Sequence, residues 1–370
     1  MDELIKILPK TEAVPLGLRA LYEGFGYNKY RMGKFEPYDL YRENKEFLDS
    51  DGIITFTDVT GRLMALRPDV TMSIVKNAQT DSLPRKYYYN ENVFRYDNVV
   101  GECREINQIG LEYLGADPGY AEAEVVSLAV MTLAELSSEY TLDISHMGLI
   151  SGLLTAAGID GSMRDEAMQF LRRKNAGGLS ALAERLSVRG DMRDVLVAAA
   201  NFRMRMCDAL ESIESFAVAA DVSEAIAELR SLYKTLEALG VADRVYVDFS
   251  VLNDLNYYNG LLFRGYIREV PQAVLSGGRY DKLVCRFGGV GAALGFALYL
   301  GELDRVFYEH SEYDVDTLLV YGELPPEEVA AAVLDMRSRG TSVRAEKRVT
   351  SSVRARSIVY LDEKGRSRDA

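Results

Sequence analysis

Two long runs of strand-forming residues, 86–96 and 104–114, stand on either side of a polar stretch, 97–103. Joined by so short a link they pair antiparallel, because a parallel pair needs a crossover of a dozen or more residues. A chain built round such a hairpin carries a mainly antiparallel sheet. The remaining pattern extends it. Residues 1–30 read as a helix with Leu16, Leu18, Leu21 and Tyr22 on one face, closed by Gly24 and Gly26. Runs 53–59 and 62–66 flank a Thr60-Gly61 turn, and 69–76 looks like a helix start.

From about 150 to 240 the period becomes helical. Ser162 with Asp165 reads as one N-cap, and the run ends in Arg172-Arg173-Lys174 before a break at 175–178. Asp221 with Glu224 reads as another, opening a stripe of Val222, Ala225, Ile226, Leu229, Leu232, Tyr233 and Leu236 that stops at Gly240. Strand character returns at 244–249, 257–267 and 272–275, followed by Gly277-Gly278, and 292–305 reads as an apolar helix. From 314 a small β-α-β-β unit follows, its helix opened by Pro325-Pro326 and closed at Gly340. Strands, helices and strands in blocks give an α+β chain with a mostly antiparallel sheet flanked by helices.

Composition narrows the function. Apolar residues make up 48% of the chain, enough for a real core, and the net charge is −13. An acidic surface repels phosphate backbones, so no large nucleic-acid partner is expected. Cys103, Cys207 and Cys285 are scattered without a CxxC, which fits a reducing compartment. With His146 and His310 as the only histidines, neither a histidine-based metal centre nor a Ser-His-Asp triad has material. The N-terminus lacks a signal pattern and the longest apolar runs fall short of the ~20 residues of a membrane helix. A cytoplasmic protein with no membrane contact, metal or cofactor is expected.

Several segments could carry chemistry. REINQIGLE, 104–112, read as a strand, puts Arg104, Gln108 and Glu112 on one face with Gly110 between the last two. Polar groups beside a glycine let a small ligand approach a sheet; a solvated face with an incidental glycine is the other reading. Arg95 in NENVFR can fork onto a carboxylate or phosphate, or pair with a neighbouring glutamate at the surface. LRPDVT offers Asp69 and Thr71 in a Pro-anchored turn, as ligand groups or as a helix N-cap. NYYNG could line a polar-aromatic pocket with Tyr257 and Tyr258, or supply packing tyrosines and a turn. SGGRYDKL brings backbone close to a ligand or makes a tight turn. Gly288-Gly289-Val290-Gly291 has neither the spacing nor the context of a nucleotide loop.

In this order these segments resemble the class II aminoacyl-tRNA synthetase fold, in its histidyl-tRNA synthetase branch, over roughly residues 10–308. LRPDVT resembles the segment that holds the amino group of histidine. YYYNENVFRYDN and REINQIGLEYLG are similar to motif 2, LNYYNGLLFRGY to the histidine-specific tyrosine motif, and SGGRYDKL with GAALGFALYLGEL to the approach to motif 3 and motif 3 itself. The resemblance implies a discontinuous core, 1–150 and 236–308, a helical insertion at 151–235, and a truncated C-terminal domain at 314–370. It also implies that Asp69 and Thr71 hold the ammonium of histidine with Gln108 assisting. Glu112 and Tyr258 would then contact the imidazole, Tyr257 would shape the pocket, and Arg95 and Arg104 would match arginines that face ATP.

The chain departs from the synthetases where they handle ATP. Asn253 stands in place of the arginine that binds the substrate carboxylate, Glu302 in place of the motif 3 arginine, and Gly33 in place of a motif 1 proline, while Glu36 matches. A carboxylate at the motif 3 position would repel a triphosphate. This pattern is similar to the synthetase-like regulatory-subunit family of ATP phosphoribosyltransferase, in the first step of histidine biosynthesis. That resemblance implies no catalytic residues, no tRNA, a homodimer within a hetero-oligomer, a short-form catalytic subunit as partner, and histidine as effector. The alternative is a divergent histidyl-tRNA synthetase or another amino-acid adenylating enzyme.

Overall fold

The computed structural model describes residues 9–48, 52–78, 84–98, 100–252, 258–303, 307, 312–361 and 367–369. The chain divides into two compact units, Met1–Phe307 and Tyr308–Ala370.

The first unit is organised by a nine-stranded sheet. Its members are β1 (Asn28–Lys29), β5 (Arg85–Asp97), β6 (Glu102–Ala116), β7 (Tyr140–His146), β8 (Arg203–Arg205), β9 (Val245–Asp248), β10 (Leu261–Ile267), β11 (Leu275–Arg279) and β12 (Ala292–Tyr299). The spatial order is β1-β5-β6-β12-β11-β10-β7-β9-β8, antiparallel except for the β1/β5 and β7/β9 pairs. A separate antiparallel sheet, β2-β4-β3, joins β2 (Phe35–Pro37), β3 (Thr55–Thr57) and β4 (Leu63–Leu66). Gly61, at φ +86°, makes the expected turn between the last two.

Helices cover the apolar face of the large sheet. They include α1 (Lys10–Gly24) and α4 (Pro118–Leu136); α2 (Tyr38–Arg42) and α3 (Thr71–Asn77) belong to the other side. Asp117 caps α4 by accepting from the Gly119 N–H, and Pro118 occupies the first turn, where its missing N–H is harmless. The helix is buried nearly all round. Its Glu122 reaches Arg279 at 3.2 Å, and its Glu124 reaches Lys86 at 2.6 Å, so neither buried carboxyl is unmatched. The helical stretch supplies α5 (Met147–Ala156), α6 (Gly161–Arg172), α7 (Ala176–Arg185), α8 (Gly190–Ala200), α9 (Met206–Ser212) and α10 (Ala220–Ala238). Leu171, Leu182 and Leu196 from these helices join the same buried cluster as the sheet. No helix among the described residues is long and apolar enough to cross a membrane.

Several local expectations need correction. Residues 292–299 form the strand β12, at the middle of the sheet, and only a 3-10 turn, Leu300–Glu302, follows. A strand covered on both faces is apolar without alternation, so its sequence resembles a buried helix. Gly277-Gly278 lies inside β11 and makes no turn. Leu16 is 46% exposed, and the buried stripe of α1 is Val14, Leu18 and Tyr22. Helix α6 begins after Asp160 and α10 after Ala219, neither with a side-chain cap, so Ser162 and Asp221 are first-turn residues. Asn175 starts a helix where a break was expected: its Oδ1 accepts from the Gly178 N–H at 2.8 Å.

The second unit contains β13 (Val315–Val320), α12 (Pro326–Ser338), β14 (Val343–Glu346), β15 (Ala355–Leu361) and β16 (Ser367–Asp369). The sheet order is β14-β13-β15-β16, with β13 parallel to both neighbours. A short helix α11 (Asp281–Arg286) completes the first unit beside the site described next.

Candidate functional site

The large sheet packs one face against α4, and its other face carries a second apolar cluster together with the buried polar groups of β6. Along β6, Ile109 and Leu111 enter the helical core, so Gln108, Gly110 and Glu112 share the opposite face. Strand register extends that face sideways: Glu112 lies opposite Gly295, Gly295 opposite Gly278, and Gly278 opposite Leu262. Both glycines are needed for space. A Cβ at Gly295 would collide with the Glu112 carboxylate, and one at Gly278 would press on the Tyr258 ring at 2.8 Å. The pair that reads as a turn in the sequence therefore seats a pocket tyrosine.

Glu112 is the centre of the arrangement. It is 2% exposed. The Thr71 hydroxyl donates to Oε1 at 2.6 Å, and the Tyr280 hydroxyl donates to Oε2. Burial pushes its carboxyl up to about 8; the two hydroxyls pull the other way, and neighbouring Asp69 adds to the rise. Thr71 is the first residue of α3. Its place is set by Asp69, whose Oδ1 accepts from the Met72 N–H at 2.7 Å. Asp69 thus does the helix-start work of the simpler reading and also puts a carboxyl near Glu112. Tyr89 is fully buried, and burial followed by the charges of Glu112 and Asp69 raises its hydroxyl well above the ordinary range. The ring and hydroxyl of Tyr89 occupy the space over Gly110, so that gap is filled by the protein itself.

Asp69, Thr71, Glu112 and Tyr258 are thus brought to one place. Gln108 is buried on the same face, opposite Glu91 and Tyr299, four residues along β6 from Glu112, or roughly 13 Å at strand rise. Arg95 lies further off. It is opposite Arg104, eight residues along the hairpin, and its Nε donates to the Pro68 carbonyl at 2.9 Å. Arg104 is exposed and pairs with Asp97 at 3.4 Å. Tyr257, Asn253 and the side chain of Glu302 lie outside the described residues. Glu36 is buried and accepts from Tyr41 and from Ser73, the latter at 2.7 Å.

Three residues had no assigned role in the sequence reading. Tyr280, in SGGRYDKL, holds Glu112 across 168 positions of chain. Tyr89 roofs Gly110. Arg67, in LRPDVT, is wholly buried, giving Nε to Asn92 O at 2.8 Å, Nη1 to Gly33 O at 3.1 Å and Nη2 to Glu91 at 2.7 Å. It clamps the segment carrying Asp69 and Thr71 onto the hairpin. The signal for Arg67 and Tyr280 was their presence inside motifs already singled out. Their long-range partners left no local trace.

Chemically, two carboxyls, two hydroxyls and a tyrosine ring suit a small ligand with an ammonium and a polar aromatic ring. The family model described as histidyl-tRNA synthetase matches residues 8–303. The chain is 28% identical to an ATP phosphoribosyltransferase regulatory subunit of Acetivibrio thermocellus, over 89% of this chain and 81% of that one. It is 29% identical to the protein of the same name from Bacillus mycoides, over 84% and 75%. A solved ATP phosphoribosyltransferase regulatory subunit/histidyl-tRNA synthetase from Bacillus halodurans shares the fold, with a TM-score of 0.80, 24% identity, and 95% and 93% coverage.

Proposed function

The chain belongs to the histidyl-tRNA synthetase family, and within it we propose that the chain is a regulatory subunit of ATP phosphoribosyltransferase, without catalytic activity of its own. It acts in the first step of histidine biosynthesis, where it is required by the short-form catalytic subunit and takes part in histidine feedback. The observation that carries this reading is the run of curated relatives along most of the chain, which bear that name.

The site fits the reading on physical grounds. Adenylate chemistry needs preorganised positive charge around developing phosphate charge. Here Arg95 gives its Nε to a backbone carbonyl and Arg104 pairs with Asp97, while Asn253 and Glu302 stand where the resemblance calls for arginines. The amino-acid end is kept. Asp69 accepts an ammonium, the Glu112 carboxyl accepts an imidazole N–H, and Tyr258 packs on the ring. Histidine bound there shifts activity only through a difference in affinity between active and inactive assemblies. The protein works as a cytoplasmic homodimer within the hetero-oligomer. A net charge of −13 agrees with the absence of tRNA from its partners.

Mixing the purified chain with a short-form catalytic subunit tests this. A single co-eluting species on size exclusion is expected, and the chain alone is expected to give no histidine-dependent pyrophosphate exchange with ATP. Separate elution, or exchange followed by charging of tRNA, contradicts the proposal.

A further inference from the structure

Beside Glu112, the middle of the sheet is only partly covered among the described residues. Arg264 on β10 lies opposite Ser276 on β11, and Ser276 opposite Ala297 on β12; Tyr299 is two positions on from Ala297 and opposite Gln108. All of these except Gln108 are half-buried, although they belong to inner strands. Their neighbours on the other face, Phe263, Gly277, Phe296 and Leu298, are buried. The exposed strip is therefore a gap in the cover of the sheet, floored by Ala297 and by the hydroxyls of Ser276 and Tyr299, which bond each other at 2.7 Å.

Arg264 closes this strip, and its charge is not matched. Among the described residues it forms no ion pair. It gives Nη2 to the Leu252 carbonyl at 3.3 Å and lies beside Tyr266 on the same strand face, both neutral partners. Asp143, its register partner on β7, is already taken by two bonds from Arg203, at 3.0 and 2.9 Å. Beside it on the same face, Ser145 has a buried hydroxyl with no hydrogen-bond partner among the described residues. A half-buried guanidinium without a counter-ion among the described residues, on a partly exposed sheet face, calls for an anion.

We infer that Arg264 is the anchor for the α-carboxylate of the amino acid whose cationic and ring ends meet Asp69 and Glu112. This rests on the pocket reading above. Three strand spacings and two residues separate Glu112 from Arg264, roughly 16 Å between Cα positions. A glutamate, an arginine and one amino acid between them span that distance. The site is then dipolar, with the Asp69 carboxylate at one end and Arg264 of β10 at the other, and it selects a zwitterion over the corresponding amine. It does so without an arginine at position 253.

Calorimetric titration with L-histidine and with histamine, which lacks the carboxylate, tests the assignment. Wild type is expected to favour histidine by about tenfold or more, the range of one charge-assisted hydrogen-bonded contact. In Arg264→Gln that preference falls to near unity with histamine binding unchanged, and Arg264→Lys recovers part of it. Unchanged histamine binding also shows that the variant is folded. If wild type favours histidine and Arg264→Gln keeps the full preference, the anchor is wrong while the pocket stands. If wild type binds neither ligand, the pocket reading falls and the anchor with it.

Discussion

Glu112 is held where its ionised form is poorly solvated. Its native carboxyl keeps a proton up to about pH 8, against an ordinary value near 4.5 in the unfolded chain. Between those values the native state binds more protons than the unfolded state, so stability falls as pH rises. The contribution is fully present below pH 4.5 and is lost as pH passes about 8. Thermal unfolding from pH 5 to 8.5 is expected to show a decline in wild type that Glu112→Gln largely removes, because the amide cannot ionise. Parallel curves for the two proteins would contradict this account of the site. At this scale the sequence was partly legible. Glu112, Gln108 and Gly110 could be set on one face because a strand alternates strictly. That Gly110 makes room for Tyr89, and Gly295 for Glu112, could not be read, since each depends on the neighbouring strand. Tyr280 was hidden for the same reason.

At the scale of elements, the edge β7-β9-β8 is tied to the helical stretch by charge. Lys174, at φ +52° in the corner between α6 and α7, reaches Asp248 at 2.7 Å. Arg203 on β8 forks onto Asp143 of β7 and also approaches Asp248 at 3.6 Å. Burial raises the pKa of Asp143, and Arg203 opposes the rise. Arg203→Ala strands that carboxyl. We expect a loss of about 2–3 kcal/mol in urea unfolding, less than for a fully buried pair because Arg203 is 37% exposed. A loss under about 0.5 kcal/mol would show the fork to be ornamental. Elements were legible where local rules decide them. The hairpin of β5 and β6, the stripe of α10 and the turn at Gly61 all follow from period and turn chemistry. The strand β12 was not, because a run buried on both faces loses the alternation that marks a strand. Helix starts at Gly161 and Ala220 were missed by two residues, since neither uses a side-chain cap.

At the scale of the whole molecule, the proposed role has a synthetase-like fold regulate a partner instead of activating an amino acid. The order of motifs along the chain carried the family resemblance, because several short patterns in register are far more specific than any one of them. Surfaces for partners left no such pattern, as no short spacing encodes them. A subunit of this kind acts by linkage: it binds the active form of its partner more tightly than the inactive one, and the effector reverses that preference. The most direct test is the rate of phosphoribosyl transfer by a short-form catalytic subunit, measured alone, with this chain, and with this chain plus L-histidine. Our account predicts a marked rise on adding the chain and a fall on adding histidine. A rate that does not respond to the chain would contradict it.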